Sequence, residues 1–277
     1  DDIASPGSFW DVLEHGCCLI TDQPPARWAQ ACAKVGAPRG VYCGAFLEGV
    51  EEFDATFFKL ASHDVAELDV HVRLMLEVAA ESLHDAHMQR TVRLDDSGAG
   101  PAGRQEPPSK AGFFSAASVV DFGIPGAGFQ VPRMMAQRLH LLDGPQEQHD
   151  RACTSSHLAL HEAREWLQGC AWPATDSAAL VVGASLLLQP ASSVWLHDNG
   201  VLSPSGVCRP LDIDGDGLVR GEAVVSMILQ HQGTEHTMWC GELRGSAVTQ
   251  SSSVGDATLA LLAPDVDAQE NAIQLAL

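Results

Sequence analysis

The chain has 277 residues, of which 45% are apolar, and its formal net charge is −20. A chain of this length folds as one large domain or as two small ones. The acidic balance excludes nucleic acid and an anionic membrane surface as partners, because both need clustered Lys and Arg. The longest apolar stretch, residues 178–188, is too short to span a bilayer.

The eight cysteines include no C-x-x-C pair, which disfavours both a structural zinc site and a disulfide framework. We therefore expect free thiols in a reducing cytoplasm. The first residues, "DDIASPGSF", are acidic and lack the apolar core of a signal peptide, so we expect no secretory leader.

Two helices are predicted in the first third of the chain. The stretch "SPGSFWDVLEHG" predicts a short helix that Ser5 caps, with Pro6 at its first position. Residues 64–83 predict a single longer helix, with Asp64 and Glu67 as its capping pair. Its buried face would consist of Leu68, Val72, Met75, Leu76, Ala79 and Leu83.

Residues 94–110 predict a flexible loop that is rich in Gly, Pro and Ser. The loop contains a G-x-G-x-x-G pattern at Gly98, Gly100 and Gly103. A nucleotide site would need an apolar strand before this pattern and a helix after it. No such strand leads into the loop, and "RQEPP" cannot open a helix, so no nucleotide site is predicted.

Strands and a helix alternate in the second half of the chain. "AGFFSAASVV", residues 180–188 and "AVVSMILQ" predict β-strands, and the residues after Cys153 predict an amphipathic helix. In that helix Leu160, Ala163 and Leu167 share one face. This alternation predicts an α/β fold whose sheet is covered on both faces. We predict a single domain over residues 1–277, with the loop at 94–110 as its flexible segment.

Cys153 stands in an unusual place for a structural thiol. It follows the polar turn "DGPQEQHD" and comes just before the helix, with Arg151, Thr154 and Ser155 around it. At a helix N-terminus, unpaired backbone N–H groups and the helix dipole favour a thiolate and can stabilise a developing oxyanion. A cysteine nucleophile in acyl transfer needs both properties, so Cys153 is the candidate catalytic residue.

Two patterns are similar to metal sites. His157 and His161 have the spacing of a helical metal pair, but neither a third ligand nor the glutamate of H-E-x-x-H accompanies them. Residues 212–223 carry three aspartates at calcium-loop spacing, but the twelfth position is Ala223 where a bidentate glutamate is required. No metal site is predicted.

The stretch "DRACTSSHLALHEA" resembles the nucleophile motif of β-ketoacyl synthases, in which Asp-Thr-Ala-Cys-Ser-Ser-Ser precedes a Leu-Ala-Leu-His helix. The matching positions are Asp150, Ala152, Cys153, Ser155, Ser156, Ala159, Leu160 and His161. Four further blocks resemble the ketosynthase domains of modular polyketide synthases. In chain order they are "FWDVLEHGCCLITDQPPARW", residues 44–83, "GVLSPSGVCRPLDIDGDGLVRGEAV" and "RGSAVTQ". Five ordered blocks identify the chain as a ketosynthase-type sequence.

The resemblance implies a thiolase-like fold, in which two similar α/β halves form α-β-α-β-α layers within a homodimer. It also implies that Cys153 takes an acyl chain from the phosphopantetheine arm of an acyl carrier protein, which we expect to be tethered in the same polypeptide. A malonyl-type thioester then loses carbon dioxide, and the carbanion attacks the acyl-enzyme carbonyl. The domain itself is expected to bind no cofactor. Arg220 and Glu222 would form an ion pair in a structural loop.

The sequence departs from the family in three respects. Two histidines polarise the malonyl thioester in this family, and neither of their motifs, Glu-Ala-His-Gly-Thr-Gly and Asn-x-Gly-His, has a counterpart here. Arg151 stands where threonine is usual, and "PQEQHD" replaces an apolar strand through which subunits pair. We expect the first two-thirds of a ketosynthase domain, truncated at its C-terminal end and able at most to acylate itself. The alternative function is a non-condensing scaffold or a surface on which a carrier protein docks.

Overall fold

The computed structural model describes residues 3, 5–86, 110–117, 131–139, 141, 143–169, 177–231, 240–250 and 265–277. The loop predicted at 94–110, with its three glycines, lies outside these residues except for Lys110, at which the first strand begins. None of the described helices is long and apolar enough to cross a membrane.

The described strands form one four-stranded sheet in the order β2-β1-β3-β4. They are β1 (Lys110–Ala117), β2 (Gln146–His149), β3 (Ser177–Ser185) and β4 (Ala223–Gln230). β1 runs parallel to both β2 and β3, whereas β4 is antiparallel to β3. The carboxyl ends of β1, β2 and β3 therefore meet at one end of the sheet, which we call the carboxyl end.

β3 lies between β1 and β4, and its first six residues are buried. A strand covered on both faces loses the alternation of polar and apolar residues, which explains its continuous apolar sequence. The strand predicted at 180–188 is confirmed, although it begins and ends three residues earlier. Leu186 and Leu187 follow its last residue and remain buried.

β2 forms although its sequence, "QEQH", has no β-branched or aromatic residue. The strand is held by its neighbour: the backbone N–H of Phe113 donates to the Pro145 carbonyl oxygen at 2.8 Å. The Ser115 hydroxyl donates to the Glu147 carbonyl oxygen at 3.2 Å. Pairing with β1, rather than local propensity, places this polar segment in the sheet.

Helices cover both faces of the sheet. One face packs against α5 (Val70–Asp85) and α6 (Val131–Arg138), and the other packs against α7 (Ser155–Gly169). Successive strand residues point to opposite faces, so neighbouring phenylalanines in β1 separate: Phe113 joins the first layer and Phe114 the second. The predicted covered sheet is confirmed.

The single helix predicted over residues 64–83 is wrong. The structure has two helices, α4 (Ser62–Glu67) and α5, separated at Leu68 and Asp69. The Asp69 carboxylate accepts from the His71 backbone N–H at 2.7 Å and so caps α5, while Arg73 donates twice to the Leu68 carbonyl oxygen. An N-cap residue has non-helical dihedrals, so this cap interrupts the helix. The predicted buried face is confirmed from Val72 onwards, whereas Leu68 is only half-buried.

Glu77 on α5 anchors the segment that precedes the helix pair. Its carboxylate accepts from the Asp54 backbone N–H at 3.1 Å, and the Asp54 carboxylate accepts from the Phe57 backbone N–H at 2.9 Å. Burial raises the pKa of Glu77, although the hydrogen bond from Asp54 opposes this shift. These residues of the second family block therefore have structural roles.

The remaining described helices lie outside the two layers. They are α1 (Pro6–Glu14), α2 (Ala26–Val35), α3 (Arg39–Tyr42), α8 (Ala191–Asp198) and α9 (Val266–Ala276). The predicted cap of α1 is confirmed, because the Ser5 hydroxyl accepts from the Ser8 backbone N–H and Pro6 is the first helical residue. A third apolar cluster forms around Trp28 of α2 and Val41 of α3, which contact Leu187 after β3.

A buried ion pair joins α2 to the carboxyl end of the sheet. The Arg27 guanidinium donates to both carboxylate oxygens of Glu222, at 2.9 and 2.6 Å, and the Glu222 side chain is 0% exposed. The backbone N–H groups of Leu47 and Leu187 each donate to one of these oxygens at 2.8 Å. Arg27 also donates to the carbonyl oxygens of the same two leucines, at 3.1 Å each.

The partner of Glu222 differs from the one that the sequence predicts. The prediction of an ion pair with Arg220 is wrong, because the Arg220 guanidinium donates to the hydroxyls of Ser192 and Ser193, at 3.0 and 2.7 Å. Both side chains are engaged elsewhere: Arg220 binds two serines of α8, and Glu222 accepts from Arg27 and from the backbone of Leu47 and Leu187.

We predict that Glu222→Ala lowers the free energy of unfolding by about 3–5 kcal/mol, because it leaves Arg27 uncompensated and two backbone N–H groups without an acceptor. The measurement is urea unfolding followed by circular dichroism. The matched control is Glu51→Ala: Glu51 lies 3.8 Å from the same guanidinium but is 67% exposed. The control substitution should lower the free energy of unfolding by less than about 1 kcal/mol. Equal losses in the two variants would show that burial of the pair is not what matters.

Candidate nucleophile site at Cys153

Cys153 lies where the chain leaves the sheet at its carboxyl end. β2 ends at His149, and a single turn of 3₁₀ helix (Ala152–Thr154) leads directly into α7. In parallel α/β sheets, the carboxyl ends of the strands are where the connecting loops form ligand sites. The predicted location of Cys153, just before a helix N-terminus, agrees with this arrangement.

The turn before α7 contains a strained residue. Ala152 has a φ of +51°, in the left-handed region that residues with a Cβ avoid. Such a conformation costs on the order of 1–3 kcal/mol and persists only where surrounding contacts enforce it. The sharp reversal leaves Cys153 exposed at the surface of the turn.

The contacts that enforce the turn come from Ser155, the first residue of α7. Its hydroxyl accepts from the Arg151 backbone N–H at 2.7 Å and donates to the Ala152 carbonyl oxygen at 2.7 Å. The Thr154 hydroxyl adds a bond to the Arg151 carbonyl oxygen at 2.9 Å. The sequence placed Ser155 in the nucleophile motif, but its bridging role depends on a backbone conformation that the sequence pattern does not reveal.

Arg151 itself directs its guanidinium to the backbone beside it, where it donates to the Asp150 carbonyl oxygen at 3.2 Å. Its side chain is exposed, like that of Cys153. The substitution of arginine for the usual threonine is therefore accommodated on the outer surface of the turn.

Gly183 of β3 supports the first turn of α7 and was not identified from the sequence. A Cβ built on Gly183 would lie 3.4 Å from the Cβ of Ser156, at the lower limit of ordinary packing. Below this contact Ala159 and Ala163 are both 0% exposed, and they face the sheet. Small residues thus bring the helix that follows Cys153 close to the sheet.

The two histidines of the predicted helix have different surroundings. His157 is exposed, whereas His161 is half-buried and its Nδ1 lies 2.9 Å from the Ser246 hydroxyl. Ser246 belongs to the "RGSAVTQ" block, so this hydrogen bond joins α7 to the last of the five family blocks. Among the described residues no group of three or more His, Cys, Asp or Glu side chains could hold a metal ion.

Two aspartates of the calcium-like loop accept hydrogen bonds from residues of the loop or of the segment just before it. The Ser203 hydroxyl donates to Asp216 at 2.6 Å, and the Ser205 backbone N–H donates to it at 3.3 Å. Hydrogen bonds from these two serines, with a smaller contribution from Arg209, hold the pKa of Asp216 below its ordinary value. The Asp212 carboxylate accepts from the Asp214 backbone N–H at 3.0 Å.

Comparison with known proteins gives the same assignment along most of the chain. The family model described as "Beta-ketoacyl synthase, N-terminal domain" matches residues 2–234. A phenolphthiocerol/phthiocerol polyketide synthase of Mycobacterium tuberculosis is 31% identical over 280 residues, which cover 93% of this chain and 12% of that protein. A fatty acid synthase of Anser anser anser is 32% identical over 234 residues, which cover 80% of this chain and 60% of that protein.

A solved structure agrees with these relatives. The ketosynthase from module 6 of the bacillaene synthase of Bacillus subtilis 168 superposes with a TM-score of 0.80 at 26% identity. The match covers 97% of this chain and 44% of that one, so the chain spans less than half of the ketosynthase and a smaller part of the polyketide synthase. With its covered sheet and its five ordered sequence blocks, the chain belongs to the β-ketoacyl synthase family and has the thiolase-like α/β layered fold of that family.

Proposed function

We propose that this chain carries the nucleophile of a β-ketoacyl synthase that works in polyketide or fatty-acid synthesis. The observation that carries the proposal is the exposed thiol of Cys153 on a strained turn at the start of α7. The position coincides with the nucleophile motif, and the relatives are polyketide and fatty acid synthases.

In the first stage, the Cys153 thiolate attacks the carbonyl carbon of an acyl thioester on the phosphopantetheine arm of a carrier protein. A new carbon–sulfur bond forms to Cys153, and the bond to the pantetheine sulfur breaks. The released pantetheine thiolate takes up a proton, which balances the one that Cys153 gave up. Backbone N–H groups at the start of a helix can stabilise the oxyanion of the tetrahedral intermediate, and α7 begins two residues after Cys153.

In the second stage, a malonyl-type thioester loses carbon dioxide, and its carbanion attacks the acyl-Cys153 carbonyl. A carbon–carbon bond forms, the bond to the Cys153 sulfur breaks, and Cys153 leaves as the thiolate. The family uses two histidines for this stage. His157 and His161 are poor substitutes, because both lie on α7, which leads away from the nucleophile, and His161 already bonds to Ser246. General acid–base groups typically contribute about 10²–10⁴ to such rates, so their placement decides whether condensation occurs.

The proposed partner is an acyl carrier protein in the same polypeptide, in a cytoplasmic synthase. A second copy of this chain is the other proposed partner, because β2 pairs only with β1 among the described strands and lies at an edge of the sheet. Unpaired strand edges are templates for pairing with another chain. The polar side chains of β2 would make this interface more hydrated than an apolar one.

We predict that Cys153 is alkylated by iodoacetamide at neutral pH faster than the other cysteines. Cys17, Cys18, Cys208 and Cys240 are also exposed, so exposure alone does not distinguish it from them. Cys32 is the internal negative control, because burial raises its pKa to about 11 and keeps it as the unreactive thiol. Peptide mass spectrometry after timed labelling gives the rate at each site. Faster labelling of Cys208 than of Cys153 would contradict the assignment.

We predict that Cys153→Ala abolishes covalent acylation by a small acyl thioester, whereas Cys208→Ala leaves it unchanged. Intact-protein mass spectrometry measures the mass gained by each variant, and peptide mapping locates the adduct. The reason is that only the nucleophile exchanges its proton for the acyl group. No adduct on the unaltered protein would favour the non-condensing scaffold instead.

We predict that a free carrier protein binds this chain weakly, and more weakly as the salt concentration falls. Carrier proteins are typically acidic, and the net charge of −20 repels them over a Debye length of about 8 Å at physiological salt. Tethering supplies an effective concentration on the order of millimolar and so offsets the repulsion. Isothermal titration at two salt concentrations tests this expectation. Tight binding that strengthens at low salt would show that electrostatic capture is used instead.

A further inference from the structure

Ser155 makes an arrangement of hydrogen bonds that an ordinary helical serine does not make. Serine in a helix commonly donates to the carbonyl oxygen three or four residues earlier, as Ser155 does to Ala152. Its hydroxyl also accepts from the backbone N–H of Arg151, which lies before the strained residue. The side chain is nearly buried, and the residue is 6% exposed, so water competes little for either bond.

The two backbone groups that Ser155 joins are separated by the strained bond of Ala152. The path from the Arg151 nitrogen to the Ala152 oxygen includes the bond whose rotation is the φ angle of Ala152. Bonds of 2.7 Å at both ends of this path close a small ring through the hydroxyl. Rotation of Ala152 toward an ordinary negative φ would move its carbonyl relative to the Arg151 N–H and break at least one of the two bonds. The hydroxyl therefore holds the left-handed conformation in place.

We propose that Ser155 is the positioning residue for the nucleophile: its hydroxyl holds Ala152 in the left-handed conformation and thereby fixes the position of the Cys153 thiol. The proposal rests on the proposed function of Cys153. Ser155 does not touch the substrate, and it acts through the backbone on either side of the strained bond. A positioning role differs from a merely stabilising one because it predicts that the loss can be repaired at Ala152. Glycine adopts a positive φ without the steric cost of a Cβ, so a glycine at 152 should no longer need the bridge.

The experiment compares four variants with the unaltered protein: Ser155→Ala, Ala152→Gly, the double variant that combines both changes, and Ser156→Ala. Ser156 is the matched control, because it is the next serine on the same turn, its hydroxyl makes none of the bonds across Ala152, and alanine keeps its Cβ, which faces Gly183. The readout is the rate of Cys153 acylation by a small acyl thioester over a range of concentrations, which separates the maximal rate from the half-saturating concentration. Protection of Cys32 from iodoacetamide reports in each variant whether the fold is intact.

We expect Ser155→Ala to lower the maximal acylation rate by about tenfold to a hundredfold, the range that misplacement of a reacting group by about 1 Å produces. The half-saturating concentration should change by less than about twofold, since no substrate contact is removed. The double variant should recover most of the rate, and Ser156→Ala should stay within about twofold of the unaltered protein.

Each outcome decides the proposal. An unchanged rate in Ser155→Ala, or a double variant as slow as Ser155→Ala, overturns the positioning role while leaving Cys153 as the nucleophile. If Cys32 is no longer protected from iodoacetamide in Ser155→Ala, the double variant provides the test. Recovery of both the Cys32 protection and the acylation rate in the double variant supports the proposal. If one of the two does not recover, the proposal is overturned. Failure of the unaltered protein to acylate at Cys153 overturns the proposed function itself.

Discussion

The buried pair of Arg27 and Glu222 is the constraint on which the carboxyl end of the sheet depends. The Nη1 and Nη2 atoms of Arg27 each donate to one carboxylate oxygen of Glu222 and to one backbone carbonyl oxygen. Each of these carboxylate oxygens also accepts from one backbone N–H group. Such a buried pair is costly to desolvate and holds only with its hydrogen bonds complete. It therefore ties α2, the segment at Leu47, the chain after β3 and the start of β4 into a single arrangement.

The turn at Cys153 lies at the same end of the sheet, but at the opposite edge. β2, at one edge of the described sheet, leads to Ala152. Glu222 lies immediately before β4, the strand at the opposite edge. β1 and β3 connect the two places through continuous parallel pairing from Lys110 to Ala117. The position of Cys153 therefore depends on the local hydrogen bonds in the turn and on the sheet. The Arg27–Glu222 ion pair holds the opposite edge of that sheet.

Sequence patterns predicted those features that depend on neighbours along the chain. The cap of α1, the buried faces of α5 and α7, and the strands β1, β3 and β4 follow from periodicity and composition. The predictions that were wrong or missing concern places where distant groups or a local cap determine the structure. Asp69 interrupts a helical period with a cap, β2 forms on a polar segment because β1 is beside it, and Glu222 pairs with a residue 195 positions away. At the candidate site, the motif predicted Cys153 as the nucleophile, but the hydrogen bonds of Ser155 depend on a dihedral angle at Ala152 that no composition rule predicts.

The small residues beneath α7 have a consequence for the position of the turn at Cys153. The height of α7 above the sheet is set where Gly183 meets Ser156 and where Ala159 and Ala163 face the strands. A methyl group added to the fully buried Ala159 or Ala163 would push the helix away from the sheet, because close-packed interiors do not absorb such a change without movement. A Cβ at Gly183, by contrast, would still make an ordinary contact with Ser156. The position of the Cys153 thiol therefore depends on the size of a few buried side chains below α7, although none of them belongs to the turn itself.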